Sequence, residues 1–290
     1  MDAPVLICGA TGTIGGTGGV ASKVLLEKGF RVRAFVHKSD ERSSQLESQG
    51  AEIFVGDLLD LRDVRRAFEG VKRAYFVYPV APGLVEATAN FAMAALEAKA
   101  EFIVNMSQRP ALPDAPSNAA LNHWLSERIF DWAGIPVNHL QPTVFNDVTL
   151  LSRQSIKEGR FAAPFAPTSR FAPISAQDVG EVVAALIANP SDHTGQSYRL
   201  FGPVEMTPLE MTDIIHKTLG REMQYDNVSG TKWVKDAVGM DIPYLQQHFE
   251  GITQMSRDGH LAGTNNLVEE IIGRRPESVV EFFEKYRTAF

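Results

Sequence analysis

Among its 290 residues the chain has one cysteine, Cys8. A single cysteine excludes an intramolecular disulfide and any cysteine-based zinc site, and it suits a reducing compartment. Long apolar runs are also missing: none approaches the ~18 residues of a membrane span. The N-terminal segment lacks the basic, apolar and small-residue order of a secretory signal. The expectation is a cytoplasmic protein with no membrane partner. Basic charge is short as well, with 28 Lys and Arg against 35 Asp and Glu, a net charge of −7. The densest basic stretch, Arg62 to Arg73, is broken by Asp63 and Glu69, so nucleic acid is not the expected partner. The seven histidines are scattered and predict no metal site. No Gly-x-Ser-x-Gly elbow and no carboxylate pair suited to glycoside hydrolysis is found.

What is present is an ordinary globular composition, 44% hydrophobic and 22% charged, which sets aside disordered, collagen-like and coiled-coil chains. Glycine is ordinary in total at 23 residues, yet Gly9, Gly12, Gly15, Gly16, Gly18 and Gly19 crowd into eleven positions. Through residue 140 two hydrophobic periods alternate. Apolar runs at 5–8, 32–36, 52–55, 74–77, 102–104 and 137–140 read as strands, and 20–26, 64–68, 85–96 and 118–132 read as helices. Strands separated by helices need crossovers, hence a parallel sheet covered on both faces. After Pro142 the rhythm breaks, with helix at 145–156, no clear period over 161–174, helix at 179–187, a strand at 197–201 and helices near 210–219, 233–238 and 279–286. The predicted fold is α/β: a doubly wound, Rossmann-type parallel sheet over 1–150, with a smaller, partly helical substrate region over 151–290 packed against it.

Residues Val5 to Gly15 read Val-Leu-Ile-Cys-Gly-Ala-Thr-Gly-Thr-Ile-Gly, a strand and then glycines three apart before a helix. Side chains there would keep the backbone from a pyrophosphate, while the helix N-terminus offers unpaired N–H groups to that anion. Gly9, Thr11, Gly12, Thr13, Ile14 and Gly15 are therefore expected to bind a dinucleotide. No Gly-Lys-Ser/Thr follows, which excludes a Walker-type loop at this turn. An acid ending the second strand suits the free ribose of NADH, and basic residues suit the 2′-phosphate of NADPH. This strand ends Phe35-Val36-His37-Lys38, with no carboxylate before Asp40, so His37 and Lys38 point to NADPH. Ligands of such sheets sit at the carboxyl ends of the strands. That places Asp57 and Leu58 beside the adenine, Tyr78, Pro79 and Val80 after the fourth strand, and Thr143 at the nicotinamide end, with Phe145 and Asn146 toward a substrate. Phe145, Phe161, Phe165 and Phe171 either wall an apolar pocket for a flat molecule or pack singly in the core.

Gly9-Ala-Thr-Gly-Thr-Ile-Gly15 resembles the opening of the NmrA-like family of atypical short-chain dehydrogenases. Gly56-Asp57, Gly134-Ile135-Pro136, Pro173-Ile174-Ser175-Ala176-Gln177-Asp178-Val179-Gly180 and Gly273-Arg274-Arg275-Pro276 resemble its later landmarks. The family includes NADPH-dependent quinone reductases, triphenylmethane reductase and non-catalytic NADP-sensing regulators. Because about three extra residues precede Leu25-Leu26, either Gly15 or Gly18 takes the third glycine's place. The resemblance implies that Tyr78 to Val80 lie along the pyrophosphate and nicotinamide ribose, that the region of His37 contacts the 2′-phosphate, and that Gln141-Pro142 stands where the family commonly has Arg-Pro.

Typical short-chain dehydrogenases pair a tyrosine with a lysine four residues on, which lowers the phenol pKa for proton transfer. Four residues after the six tyrosines stand Pro79, Pro82, Gly202, Ser229, His248 and Phe290, so proton transfer is done differently or not at all. His123 and Glu127, four apart on one helical face, match the spacing of the quinone reductase and triphenylmethane reductase branch. The resemblance implies that His123 lies near the nicotinamide ribose and polarises a substrate oxygen, with Glu127 orienting the helix or ring. The bland alternative for His123 is a helix histidine without chemistry. Ser107 stands where the wider superfamily keeps a hydroxyl near the substrate, although serines also form turns after strands. The expected function is an NADPH-dependent oxidoreductase passing hydride to a quinone-like or other conjugated small molecule. The alternative is a non-catalytic NADP(H) sensor acting through a protein partner. Isomerase and ether-cleaving relatives usually carry lysine where His123 stands. Monomer and homodimer both stay open.

Overall fold

Short runs of Val, Ile, Leu and Phe flanked by helices become the strands of one sheet, buried on both faces. A computed structural model describes residues 3–12 and 16–290. Its strands are β1 (Val5–Cys8), β2 (Val32–Val36), β3 (Glu52–Val55), β4 (Arg73–Phe76), β5 (Phe102–Met106), β6 (Val137–Pro142), β7 (Arg160–Ala163), β8 (Ser197–Leu200) and β9 (Gln224–Asn227). The helices are α1 (Thr17–Glu27), α2 (Glu41–Ser48), α3 (Leu61–Ala67), α4 (Leu84–Glu97), α5 (Asn118–Ala133), α6 (Arg153–Lys157), α7 (Ala176–Ala188), α8 (Pro208–Leu219), α9 (Gly230–Val238), α10 (Pro243–Arg257), α11 (Leu267–Ile272) and α12 (Val279–Lys285), with a 3-10 turn at Asn146–Ser152.

Seven strands form a parallel sheet in the order β3-β2-β1-β4-β5-β6-β8. Strand order reverses between β1 and β4, and such a switch point opens a crevice at the carboxyl ends where nucleotides bind. The chain divides into two units. The first comprises Met1–Ser107, Asn122–Gln141 and Ala176–Tyr198, the second Gln108–Leu121, Pro142–Ser175 and Arg199–Phe290. Where the sequence suggests a single cut at residue 150, the segments after β5 and β6 already belong to the second unit and α7 returns to the first. Periodicity records local conformation, not which core a loop joins.

The first unit packs Phe68, Phe76, Phe91 and Phe130 with Leu6, Val64 and Ile103 in one core. A second core joins Phe161, Phe165, Phe171, Met206, Met211, Phe282 and Phe283, and the short β7–β9 pair lies in that unit. No described helix is long and apolar enough to cross a membrane, and no group of His, Cys, Asp and Glu among the described residues is placed to hold a metal.

In the second unit α10 clasps the start of α5. Gln247 Nε2 donates to the Pro116 carbonyl at 2.6 Å, Gln247 Oε1 accepts from Asn118 N at 2.9 Å, and Ser117 Oγ bonds His248 Nδ1 at 2.8 Å. Burial pushes the His248 imidazole from 6.5 down to about 4. The unfolded chain takes up this proton first as pH falls, so the stabilisation is complete above pH 6.5 and is lost on the way to pH 4. The loss amounts to about 3 kcal/mol. Urea melts of wild type and His248→Gln across this window are expected to differ in slope, the variant being the flatter.

Candidate functional site

The glycine turn leaves β1 through Gly9, which adopts φ +65°, and closes with Gly12 N donating to the Gly9 carbonyl at 3.1 Å. Gly16 stands at the N-cap of α1, no side chain caps the helix, and its first turn holds no carboxylate. Its positive end is therefore bare. A Cβ on Gly18 would lie 2.4 Å from the Cys8 carbonyl oxygen and 2.7 Å from the Gly9 carbonyl carbon. Close approach of helix to strand is what the third glycine of a dinucleotide fingerprint provides, and Gly18 has that geometry. Thr13, Ile14 and Gly15 lie outside the described residues.

His37 and Lys38 are exposed after β2 and engage no side chain among the described residues. Asp40, the first acid, is already committed: it caps α2 by accepting from Arg42 N and Ser43 N, and it pairs with the Arg42 guanidinium at 2.5 Å. That pairing holds its carboxyl below the usual range. Arg42 also donates from Nη1 to the Thr11 carbonyl at 2.6 Å, tying the end of β2 to the glycine turn. The result is a basic triad, His37, Lys38 and Arg42, at the strand end where the adenosine ribose of a dinucleotide sits. Asp57 Oδ1 accepts from Leu59 N at 2.9 Å, Leu58 is half-buried, Tyr78 donates to the Pro82 carbonyl at 3.2 Å, and Pro79 and Val80 are exposed.

At the end of β5 Ser107 is 2% exposed, and its hydroxyl meets no partner among the described residues. On α5 both His123 and Glu127 are buried. The Glu127 carboxylate accepts from Gln141 Nε2 at 2.8 Å and lies 3.5 Å from Arg128. Arg128 continues to Asp131 at 2.9 Å, and His139 joins Asp131 at 3.1 Å to Asn105 at 3.0 Å. Glu127 thus braces α5 against β6, and Gln141 is the uncharged partner that this carboxylate uses. Tyr75 is fully buried against Thr17 at 2.6 Å, with its phenol pushed upward by burial, and offers no proton at neutral pH. The Cys8 thiol is likewise pushed up to about 12 and is inert.

The sequence profile of the NmrA-like family matches residues 1–289. The chain belongs to the NmrA-like family. It is 26% identical over 290 residues to the NAD(P)H azoreductase of Xenophilus azovorans, covering 99% of each chain. Among solved structures it is similar to the NADPH-dependent quinone oxidoreductase of Escherichia coli complexed with NADPH, with a TM-score of 0.84 at 22% identity over 98% of this chain and 99% of that one. The triphenylmethane reductase of Citrobacter sp. complexed with NADP(H) gives a TM-score of 0.82 at 21% identity over 99% of this chain and all of that one. At such identities the structures establish a shared fold.

In the second unit of this NmrA-like chain the segment after β6 holds two more buried polar groups without partners among the described residues, the Thr143 hydroxyl and both ends of the Asn146 amide. An unsatisfied buried group costs about 1–3 kcal/mol. Ser107, Thr143 and Asn146 were singled out by position after their strands, and each leaves a polar group without a protein partner. Phe145, Phe161, Phe165 and Phe171 do line one cavity, together with Trp233 and Phe249, whose ring centres lie 4.5 Å apart in a tilted contact. Its volume is about 30 Å³, room for water but far below the ~300–1,000 Å³ of small-molecule pockets. Arg42 and Trp233 escape sequence reading. The one signal for Arg42 is a cation in the first turn of the helix after β2.

Proposed function

We propose that the chain is an NADPH-dependent oxidoreductase that passes hydride to a quinone-like or other conjugated small molecule. The observation that carries this reading is the run of buried, unpartnered polar groups at Ser107, Thr143 and Asn146 in the segments that follow β5 and β6. Buried polar groups find a partner in the protein or in ordered water, and at the ends of these strands a ligand is the partner that suits them. The azoreductase relative, named for NAD(P)H and matched end to end, supports the same chemistry.

The residues fit the cofactor. Gly9, Thr11 and Gly12 bring backbone amides to the pyrophosphate at the uncapped start of α1, and the sequence assigns Thr13, Ile14 and Gly15, outside the described residues, to the same ligand. His37, Lys38 and Arg42 take the 2′-phosphate, Asp57 and Leu58 flank the adenine, and Tyr78, Pro79 and Val80 run along the diphosphate side. Thr143 meets the nicotinamide end, and Phe145 and Asn146 face the acceptor. NADPH, when bound, supplies the hydride. The chain aligns the two partners and excludes water, and a conjugated acceptor asks little more of it. His123 polarises the acceptor's heteroatom, with Ser107 beside it, in place of the missing tyrosine and lysine.

The test is NADPH oxidation against a panel of quinones and azo compounds. His123→Ala is expected to lower kcat/KM about 10–100-fold, and absence of turnover with every acceptor removes the enzyme reading. Arg42→Ala is expected to raise KM for NADPH about tenfold and to leave KM for NADH unchanged, since only the former has a 2′-phosphate to lose. Equal effects on both cofactors would assign Arg42 to bracing the turn. The small aromatic cavity of about 30 Å³ favours a second reading, a non-catalytic NADP(H) sensor. A sensor binds oxidised and reduced cofactor with different affinities while turning over neither, which calorimetry with NADP⁺ and NADPH would reveal.

A further inference from the structure

Arg109 is a half-buried cation without an acid. Its Nη2 donates to the Ala262 carbonyl at 3.0 Å, its guanidinium lies 5.0 Å over the Phe201 ring, and its Nε is buried with no partner. No carboxylate reaches it among the described residues. Glu205, which accepts from Gly263 N in the same loop, is taken by Arg170 at 2.9 Å. Burial and the charge of Arg199 both work against the Arg109 cation. Arg199 is exposed, and its side chain has no ion-pair partner among the described residues.

The backbone fixes where this cation stands. Arg109 N donates to the Pro142 carbonyl at 2.9 Å, and Thr143 N donates to the Leu200 carbonyl at 3.0 Å. Arg109 is thereby held beside the segment that carries the unpartnered Thr143 hydroxyl. Gln108 Nε2 is a further buried donor without an acceptor. Arg109 Nε and Gln108 Nε2 are thus two buried donors, adjacent in sequence, without acceptors among the described residues, and an acceptor oxygen would satisfy both.

We propose that Arg109, assisted by Arg199, anchors an anionic group (carboxylate, sulfonate or phosphate) carried by the conjugated substrate. The proposal rests on the oxidoreductase reading for the word substrate, but its test does not require turnover. In the presence of NADP⁺, calorimetry would compare anthraquinone-2-sulfonate with neutral 2-(hydroxymethyl)anthraquinone and with inorganic phosphate. Wild type is expected to bind the sulfonate at least tenfold more tightly than the neutral quinone, and Arg109→Gln to erase that difference. Arg199→Gln, at an exposed position that the fold does not need, is expected to weaken sulfonate binding about threefold and serves if Arg109→Gln fails to fold. Equal binding of both quinones by wild type overturns the proposal. So does sulfonate binding that neither variant weakens, or inorganic phosphate binding as tightly as the sulfonate, which would make this a plain anion site. Charge selectivity without turnover of any acceptor would leave the anchor standing and remove the oxidoreductase reading.

Discussion

Gly18→Ala is expected to abolish NADPH binding and to destabilise the fold by about 3 kcal/mol. The added methyl would sit 2.4 Å from the Cys8 carbonyl oxygen, 2.7 Å from the Gly9 carbonyl carbon and 2.8 Å from its oxygen. All three contacts are backbone atoms, and Cys8 belongs to a strand hydrogen-bonded to β2 on one side and β4 on the other. The strand cannot yield, so α1 must move outward. That displaces the bare helix end proposed to hold the diphosphate, and charge-assisted bonds to backbone N–H groups fade within a few tenths of an ångström. Gly19→Ala is the control: its methyl would meet only the Ala10 carbonyl oxygen, at 3.0 Å, and a small local shift relieves it. Titration of NADPH fluorescence with each variant, together with urea unfolding, measures both effects. Wild-type affinity in Gly18→Ala would transfer the third-glycine role back to Gly15.

Much of this was legible in the residues. Strands β1, β2, β4 and β5 stand out because each is a short, largely apolar run buried between helices, the edge strand β3 by its Ile-Phe-Val run despite its exposed ends, and α5 by its length of sixteen residues from Asn118 to Ala133. The glycine cluster announced its turn, but the choice between Gly15 and Gly18 needed the distance from α1 to Cys8, which spacing alone does not contain. The four-residue strands β7 and β9 are too short to impose a period. Helix α2 buries only Ser43 and Leu46, leaving almost no apolar signal. Arg42 was hidden for a related reason: its bond to the Thr11 carbonyl crosses 31 positions and depends on the path of a helix with little hydrophobic pattern. Glu127 was visible as half of a helical pair with His123, whereas its partners Gln141 and Arg128 follow from the register of α5 on β6. Such polar networks are tertiary, and no local pattern encodes them.

Asn146→Leu is expected to stabilise the protein while removing most of its activity. Asn146 is fully buried, and neither end of its amide has a partner among the described residues, although its backbone N–H is satisfied by the Ile174 carbonyl at 2.8 Å and its own carbonyl by Thr149 Oγ1 at 2.7 Å. The backbone is content and the side chain is not. Leucine keeps the branch at Cγ and replaces an unsatisfied amide by apolar atoms, a change worth about 1–2 kcal/mol, or a thermal midpoint roughly 2–3 °C higher for a chain of this length. A residue kept for packing would not leave such a gain unclaimed, whereas one kept for a ligand would, since activity and stability commonly oppose each other at a site. The same substitution removes a donor and an acceptor from the segment after β6 that is proposed to face the substrate, and kcat/KM for NADPH-dependent reduction is expected to fall about 100-fold. Differential scanning calorimetry without ligand and steady-state kinetics with the best acceptor of the panel read the two effects separately. A variant that is both less stable and fully active would make Asn146 a packing residue and return the site to Ser107, His123 and Thr143.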